Sequence, residues 1–293
     1  GSNSMVTNTS GIKNAALGAW SLRFNTTGDY NSAVGTDALT ANTAAENTAV
    51  GSNSMVTNST GTKNAALGAW SLRYNTTGDF NTAAGYQALG ANTTADNNTA
   101  FGYNTLQANT TGATNTAVGA LALDANTTAN DNTAVGYNAL GANTTGATNT
   151  AVGAYALDAN VTNTNNTAIG YSVLSAATAD GNTGVGDKAL QLNTTGSANT
   201  SVGQQALQNN TTGSYNTAVG SSALNANTTA NSCTAFGQGA LQANTTGSAN
   251  TAIGQGALND NVTGDYNVAI GALAMDNLTA GDDNIAIGYN TYG

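Results

Sequence analysis

The carboxylates are the first residues of this chain whose types and spacing could do chemistry. Asp29, Glu46, Asp79 and Asp96 recur at one place of a repeating pattern, with Lys63 beside the same column. Stacked carboxylates could hold Ca²⁺, which takes several oxygen ligands, or act as an acid–base pair if a pocket brought them together. The column lapses after Asp96 and returns only near the end, at Asp265 and Asp282. It therefore reads as a solvated turn partly neutralised by Lys63, and Asp282-Asp283 reads as a polar turn. The chain has no His, which excludes a Ser-His-Asp triad, a His-ligated metal and an imidazole base. Cys233 is the single cysteine, so an internal disulfide and a CxxC metal site are excluded too. No enzymatic activity, no metal and no cofactor are expected.

Two other residue types suggest binding. Aromatics gather just before the repeated phrase (Tyr30, Phe80, Tyr215, Tyr266) and just after it (Trp20, Trp70, Tyr86, Tyr103, Tyr137, Tyr171, Tyr289). On a rigid scaffold they could stack on sugar rings; interchain packing or partial burial at a corner is the preferred reading. Paired threonines such as Thr110-Thr111 and Thr144-Thr145 raise ice binding. Neighbours on a strand point to opposite faces, so a pair at a corner does not build the wide array ice would need. A net charge of −10 with five basic residues argues against nucleic acid, whose recognition rests on Lys/Arg contacts to phosphates. No stretch approaches the ~20 apolar residues of a membrane-spanning helix, so no membrane insertion is expected.

These residues are positioned by a repeat. Asn (45), Thr (49) and Gly (36) dominate the 293 residues, a bias that comes from one phrase, Asn-Thr-Ala-(Val/Ile)-Gly. It begins at Asn14 and returns seventeen times in all, every 17 residues except for two steps of 16, Asn31 to Asn47 and Asn166 to Asn182. Counting the phrase's Asn (Cys233 in one copy) as position 1, position 5 is always glycine: Gly18, Gly35, Gly51, Gly68, Gly85, Gly102, Gly119, Gly136, Gly153, Gly170, Gly186, Gly203, Gly220, Gly237, Gly254, Gly271 and Gly288. A fixed glycine marks a backbone of positive φ or a place where no side chain fits. Position 4 is apolar and position 9 is nearly always Leu or Met. These two columns are expected to form the core, as with Val118, Leu123, Val135, Leu140, Val152 and Leu157.

A 17-residue unit is too short for a helical repeat, which needs about 33 residues or more. Two short strands, over positions 1–4 and 7–11, with corners at Gly and at Asn-Thr-Thr-Gly, fit better. The expected fold is all-β: a parallel β-solenoid, or β-roll, of seventeen 17-residue coils, some 80 Å long at about 4.8 Å per coil. Asn at positions 1 and 12 is expected to form amide ladders along the stack. One Val-class and one Leu-class side chain per coil is a thin core against the entropy of ordering 17 residues. Several chains, most simply three, are expected to share it. Residues 1–293 read as one repetitive shaft without caps, a segment of a longer fibre.

The stacked Asn-Thr-Ala-Val-Gly phrase resembles the head repeats of YadA-like trimeric autotransporter adhesins. The longer form at Asn132–Gly146 is similar to shaft repeats of phage tail fibres and related bacterial surface proteins. The resemblance covers essentially the whole chain, although the adhesin repeat is shorter and no coiled-coil stalk, membrane anchor or chaperone domain is visible. It implies a homotrimeric, extracellular fibre, on a virion tail or a cell surface, that projects a receptor-binding tip. A cell-surface glycan or receptor would then be met through regions outside this segment. A solenoid that binds ice or glycan along its length is the alternative.

Overall fold

The computed structural model describes residues 1–292, and no helix occurs among them. The chain divides into two compact units, Gly1–Thr148 and Asn149–Gly293. Each is a parallel β-solenoid with one three-residue strand per coil. The first unit carries β1 (Ala15–Leu17) to β8 (Thr133–Val135), and the second carries β9 (Thr150–Val152) to β17 (Ile285–Ile287). Within each unit every strand pairs with the next in chain order, parallel and in register. Thr116, Ala117 and Val118 lie against Thr133, Ala134 and Val135, and Thr217, Ala218 and Val219 against Thr234, Ala235 and Phe236. The two 16-residue coils keep that register, with Ser32 against Thr48 and Thr167 against Thr183. The missing residue is taken from the Thr-Thr-Gly corner: Asn42 reaches the carbonyl two residues on (Ala44), where other Asn residues at position 12 reach three.

The expected second strand over positions 7–11 does not form. Positions 7 and 9 instead take the left-handed conformation, as at Leu121 (φ 60°) and Leu123 (φ 52°). Alternating left-handed residues with residues of negative φ turns successive peptides over. The position-7 N–H then donates to the preceding coil (Leu121 to Tyr103 O, 3.0 Å) and the position-9 N–H to the following one (Leu123 to Ala139 O, 3.0 Å). The segment thus satisfies its backbone between coils, as a strand would, along a tightly turning path. A left-handed L-residue costs roughly 1–2 kcal/mol. At position 9 the same geometry aims Leu inward, and burying Leu returns about 1.5–3 kcal/mol.

The core differs from expectation in one column. Leu123, Leu140 and Leu157 are fully buried, but Val118 is 38 % exposed, and Val135 and Val152 are only half-buried. On a three-residue strand, neighbouring side chains alternate faces. Position 3 therefore points in and positions 2 and 4 point out. The interior is built from Ala at positions 3 and 8 (Ala117, Ala122), Leu at position 9 and Asn at positions 1 and 12. A cross-section this narrow takes one Leu or Met per coil; where Val173 joins Leu174 inside, Gly184 at position 3 of the next coil leaves room for it.

All seventeen glycines at position 5 have φ between 125° and 140°, a region L side chains rarely adopt. There is also no space: a Cβ on Gly203 would sit 2.5 Å from the carbonyl oxygen of Gly220. Gly203→Ala should therefore lose at least about 2 kcal/mol of stability from strain and overpacking, whereas the neighbouring Gln204→Ala should change it by less than about 0.5 kcal/mol. Equilibrium denaturation of the two variants checks this, and equal midpoints would contradict it.

Candidate functional site

Three side-chain ladders run along the coils inside each unit. At position 1, Asn115 Oδ1 accepts the backbone N–H of Asn132 in the next coil at 3.0 Å, and Asn115 Nδ2 donates to the Ala129 carbonyl at 2.8 Å. At position 12, Asn126 Nδ2 donates to Asn109 Oδ1 at 2.9 Å and to the same Ala129 carbonyl at 3.1 Å. The second unit repeats both, with Asn216 donating to Ala230 O and Asn227 to Asn210 Oδ1. Asn suits these places because one short side chain supplies both an acceptor and two donors. The amide ladder expected from the sequence is thus present side chain to side chain at position 12. At position 1 it runs mainly from side chain to backbone.

The third ladder explains the acidic column, with two changes of membership. Glu46, in a 16-residue coil, stands in the next column with Tyr30 and Lys63, and Asp180 joins this one by accepting the Thr164 N–H. Asp79 Oδ1 accepts the N–H of Thr62 (2.6 Å), Asp96 Oδ1 that of Asp79 (2.7 Å), and Asp282 Oδ1 that of Asp265 (2.8 Å). Where the acids lapse, Asn130 and Asn231 accept in the same way from Ala113 and Ser214, and Ser248 Oγ accepts from Asn231. The column selects a short side chain with an acceptor, a preference typical of Asp, Asn and Ser. Charge is incidental to it, so the acids alone trace the column only in part. These oxygens serve the backbone, and no cluster of three or more metal-ligating residues occurs among the described residues.

Three substitutions break the Asn ladders: Cys233, Ala177 and Leu278. Leu278 stands at position 12 of the coil that begins at Asn267, where Asn261 Oδ1 accepts the Gly264 N–H at 3.1 Å. Cys233 occupies position 1; its N–H is still accepted by Asn216 Oδ1, and its thiol lies 3.2 Å from the Gly247 carbonyl. It offers no amide oxygen to the N–H of Asn250 above it. Burial pushes the Cys233 thiol up to about 11, so it stays protonated and unreactive near neutral pH. Ala177 occupies position 12, and Asn193 Nδ2 keeps only the Gly196 carbonyl.

The surface offers two further features. Positions 2 and 4 of every strand face outward and carry no charge. Thr holds position 2 in eleven successive coils, Thr82 to Thr251, and apolar residues hold position 4, with Phe101, Ile169 and Phe236 well exposed. Tyr215 and Tyr266 stand exposed at the corner, and Lys13 and Lys63 lie over the rings of Tyr30 and Phe80. Trp70, Tyr86 and Tyr103 form a row with ring centres 5.5 and 5.7 Å apart, and Tyr155 meets Tyr171 edge-on at 6.2 Å.

Half-buried carboxylates at position 10 add a pH dependence. Desolvation raises the pKa of Asp124 and of Asp158 above the ordinary 3.8, outweighing the backbone hydrogen bonds that lower it. Between the unfolded and the raised folded value the folded chain binds more protons, so stability falls as pH rises through that window and the cost persists at neutral pH. Asp124→Asn and Asp158→Asn should therefore raise the melting temperature at pH 7, and the gain should vanish below pH 3.8. Melting curves over pH 3 to 7 measure it; a gain that grows on acidification would contradict the sign. For the ladders, Cys233→Asn and Ala177→Asn should each add about 0.5–1.5 kcal/mol, while Asn126→Ala should cost about 1–3 kcal/mol. Chemical denaturation would show it, and a destabilised Cys233→Asn would refute the ladder's role. No family model and no curated protein matches the chain.

Proposed function

We propose that this chain is a structural fibre shaft of the tail-fibre or surface-adhesin kind. It works outside the cell as a homotrimeric spacer that holds a receptor-binding tip away from its base. The observation that carries this reading is the outward file at position 4. Val34, Leu67 and Phe101 in the first unit, and Ile169, Val202 and Ile253 in the second, are exposed apolar side chains repeated coil after coil. Monomeric soluble proteins rarely leave extended apolar patches uncovered. The file is uncharged, and its register comes from the coil spacing, so parallel copies of the chain offer one another the same file at the same pitch. Three copies around one axis bury it and supply the apolar area that a single narrow coil lacks. No catalytic role is proposed: the buried carboxamides serve the backbone, and the one thiol is buried and protonated.

The Thr file at position 2 favours a second reading, ice binding through the same face. Thr at position 2 shares an outward face with an apolar residue at position 4 on strands of both units, and within a unit the pair repeats at about 4.8 Å, which the Thr-Thr corners do not offer. The two readings compete, since a trimer covers the face that ice would need.

Sedimentation of the purified chain separates them. A trimer without thermal hysteresis is expected, and the combined Val118→Asp, Val152→Asp and Val202→Asp variant should give folded monomers. A monomer with thermal hysteresis would establish the ice reading; a monomer without it would overturn both. As a spacer, the chain should also tolerate deletion of residues 199–215, one whole coil, with the trimer retained. Deletion of residues 199–206 should abolish folding, because positions 3, 8 and 9 would no longer stack.

A further inference from the structure

The first unit contains an internal comparison. The segment around Trp20 is repeated around Trp70, and in both copies an arginine three residues on lies over the indole: Arg23 at 5.8 Å from the Trp20 ring centre, Arg73 at 5.1 Å from that of Trp70. A second aromatic then closes on the guanidinium, Phe24 at 4.9 Å and Tyr74 at 5.1 Å. The coils that follow differ. After Trp20 come Thr36, Asp37 and Thr40 at positions 6, 7 and 10; after Trp70 come Tyr86, Gln87 and Gly90. Gly90 removes the side chain that would fill the floor, and a groove opens between Trp70, Arg73, Tyr74, Gln87 and Gln107. Its volume is about 70 Å³. That is room for a small planar group such as a carboxylate.

The polar groups around this groove are uncommitted. Arg73 makes no ion pair, and its guanidinium and the side-chain amides of Gln87 and Gln107 make no hydrogen bond among the described residues. A guanidinium held between two rings keeps its edge donors free and pre-oriented for a planar anion. Bidentate pairing with a carboxylate is its strongest match. The neighbouring Gln amides suit hydroxyls, and Tyr74 and Tyr86 are exposed beside the groove, where the apolar face of a pyranose can rest. In the Trp20 copy, Asp37 stands where Gln87 does and would repel an anion.

We propose that the Trp70–Arg73–Tyr74 groove is a lateral binding subsite for the carboxylate of an acidic saccharide, such as a uronic acid residue of a surface polysaccharide. Arg73 takes the carboxylate, and the Gln amides and tyrosines hold the ring to which it is attached. The subsite lies within one chain and does not depend on the spacer reading. Trimer formation, followed by sedimentation in the same samples, reports on that reading separately.

The probe is trigalacturonate, titrated against the Trp20→Phe protein so that Trp70 is the only indole, with fluorescence as the signal. Maltotriose tests the need for a carboxylate, and acetate tests the need for a sugar. Saturable quenching by trigalacturonate alone is expected, weakened about tenfold or more by Arg73→Met and comparably by Gln87→Asp, which copies the Asp37 arrangement. Arg23→Met should leave it unchanged. Arg73 is on the surface, so its variant should fold as the parent does, with circular dichroism as the check. No saturable change with trigalacturonate, equal response to maltotriose or acetate, or indifference to Arg73→Met would each overturn the proposal.

Discussion

Everything in these solenoids depends on satisfying backbone amides within a coil too narrow to hold a conventional core. A buried, unpaired N–H or C=O costs about as much as a lost hydrogen bond, and each coil turns too sharply for long strands to do the pairing. Asparagine resolves this. Its carboxamide is small enough to lie inside the coil and carries acceptor and donors together. At positions 1 and 12 it joins one coil to the next and ties down the carbonyl at position 15, as Asn115 and Asn126 both do at Ala129. Buried polar networks of this kind are strong when fully connected and costly when interrupted. The interruptions at Cys233, Ala177 and Leu278 are therefore the weak points of the second unit.

With the ladders in place, the remaining features follow. Close coil stacking leaves no space for a Cβ at position 5, and glycine is the consequence. The left-handed residues at positions 7 and 9 turn their peptides toward neighbouring coils, and the strain they carry is offset where Leu at position 9 enters the core. The outward apolar file at position 4 then follows from a strand only three residues long, because an Ala points in between two residues that point out. That file is the feature a trimeric shaft would use. The groove at Arg73 lies where Gly90, at the variable position 10, puts no side chain on its floor.

Much of this was legible in the sequence, for definite reasons. The 17-residue register, the all-β parallel solenoid, the glycine column and the Asn ladder at position 12 are all stated by repetition, since a residue required in every coil appears in every coil. The tolerance of the two 16-residue coils also shows there, because the loss falls in the Thr-Thr-Gly corner. The column at position 16 was visible only in part. Its requirement is for a hydrogen-bond acceptor, and Asp, Asn and Ser meet it equally, so a search for charge alone missed the Asn and Ser copies.

What the sequence could not decide was direction. Val118 and Leu123 are both apolar and both recur, and nothing in their chemistry says that one faces out and the other in. That is fixed by the backbone: alternation on the strand turns Val118 outward with Ala117 inside, and a left-handed φ, which leucine seldom adopts alone, turns Leu123 inward. The same limit applies to Arg73 and Arg23, which copy one another in sequence. Only the tertiary structure sets one beside Gln87 and Gly90 and the other beside Asp37 and Thr40, because their surroundings belong to the next coil. Repetition therefore determined which residues stack, and the path of the chain between them decided which surface each one reaches.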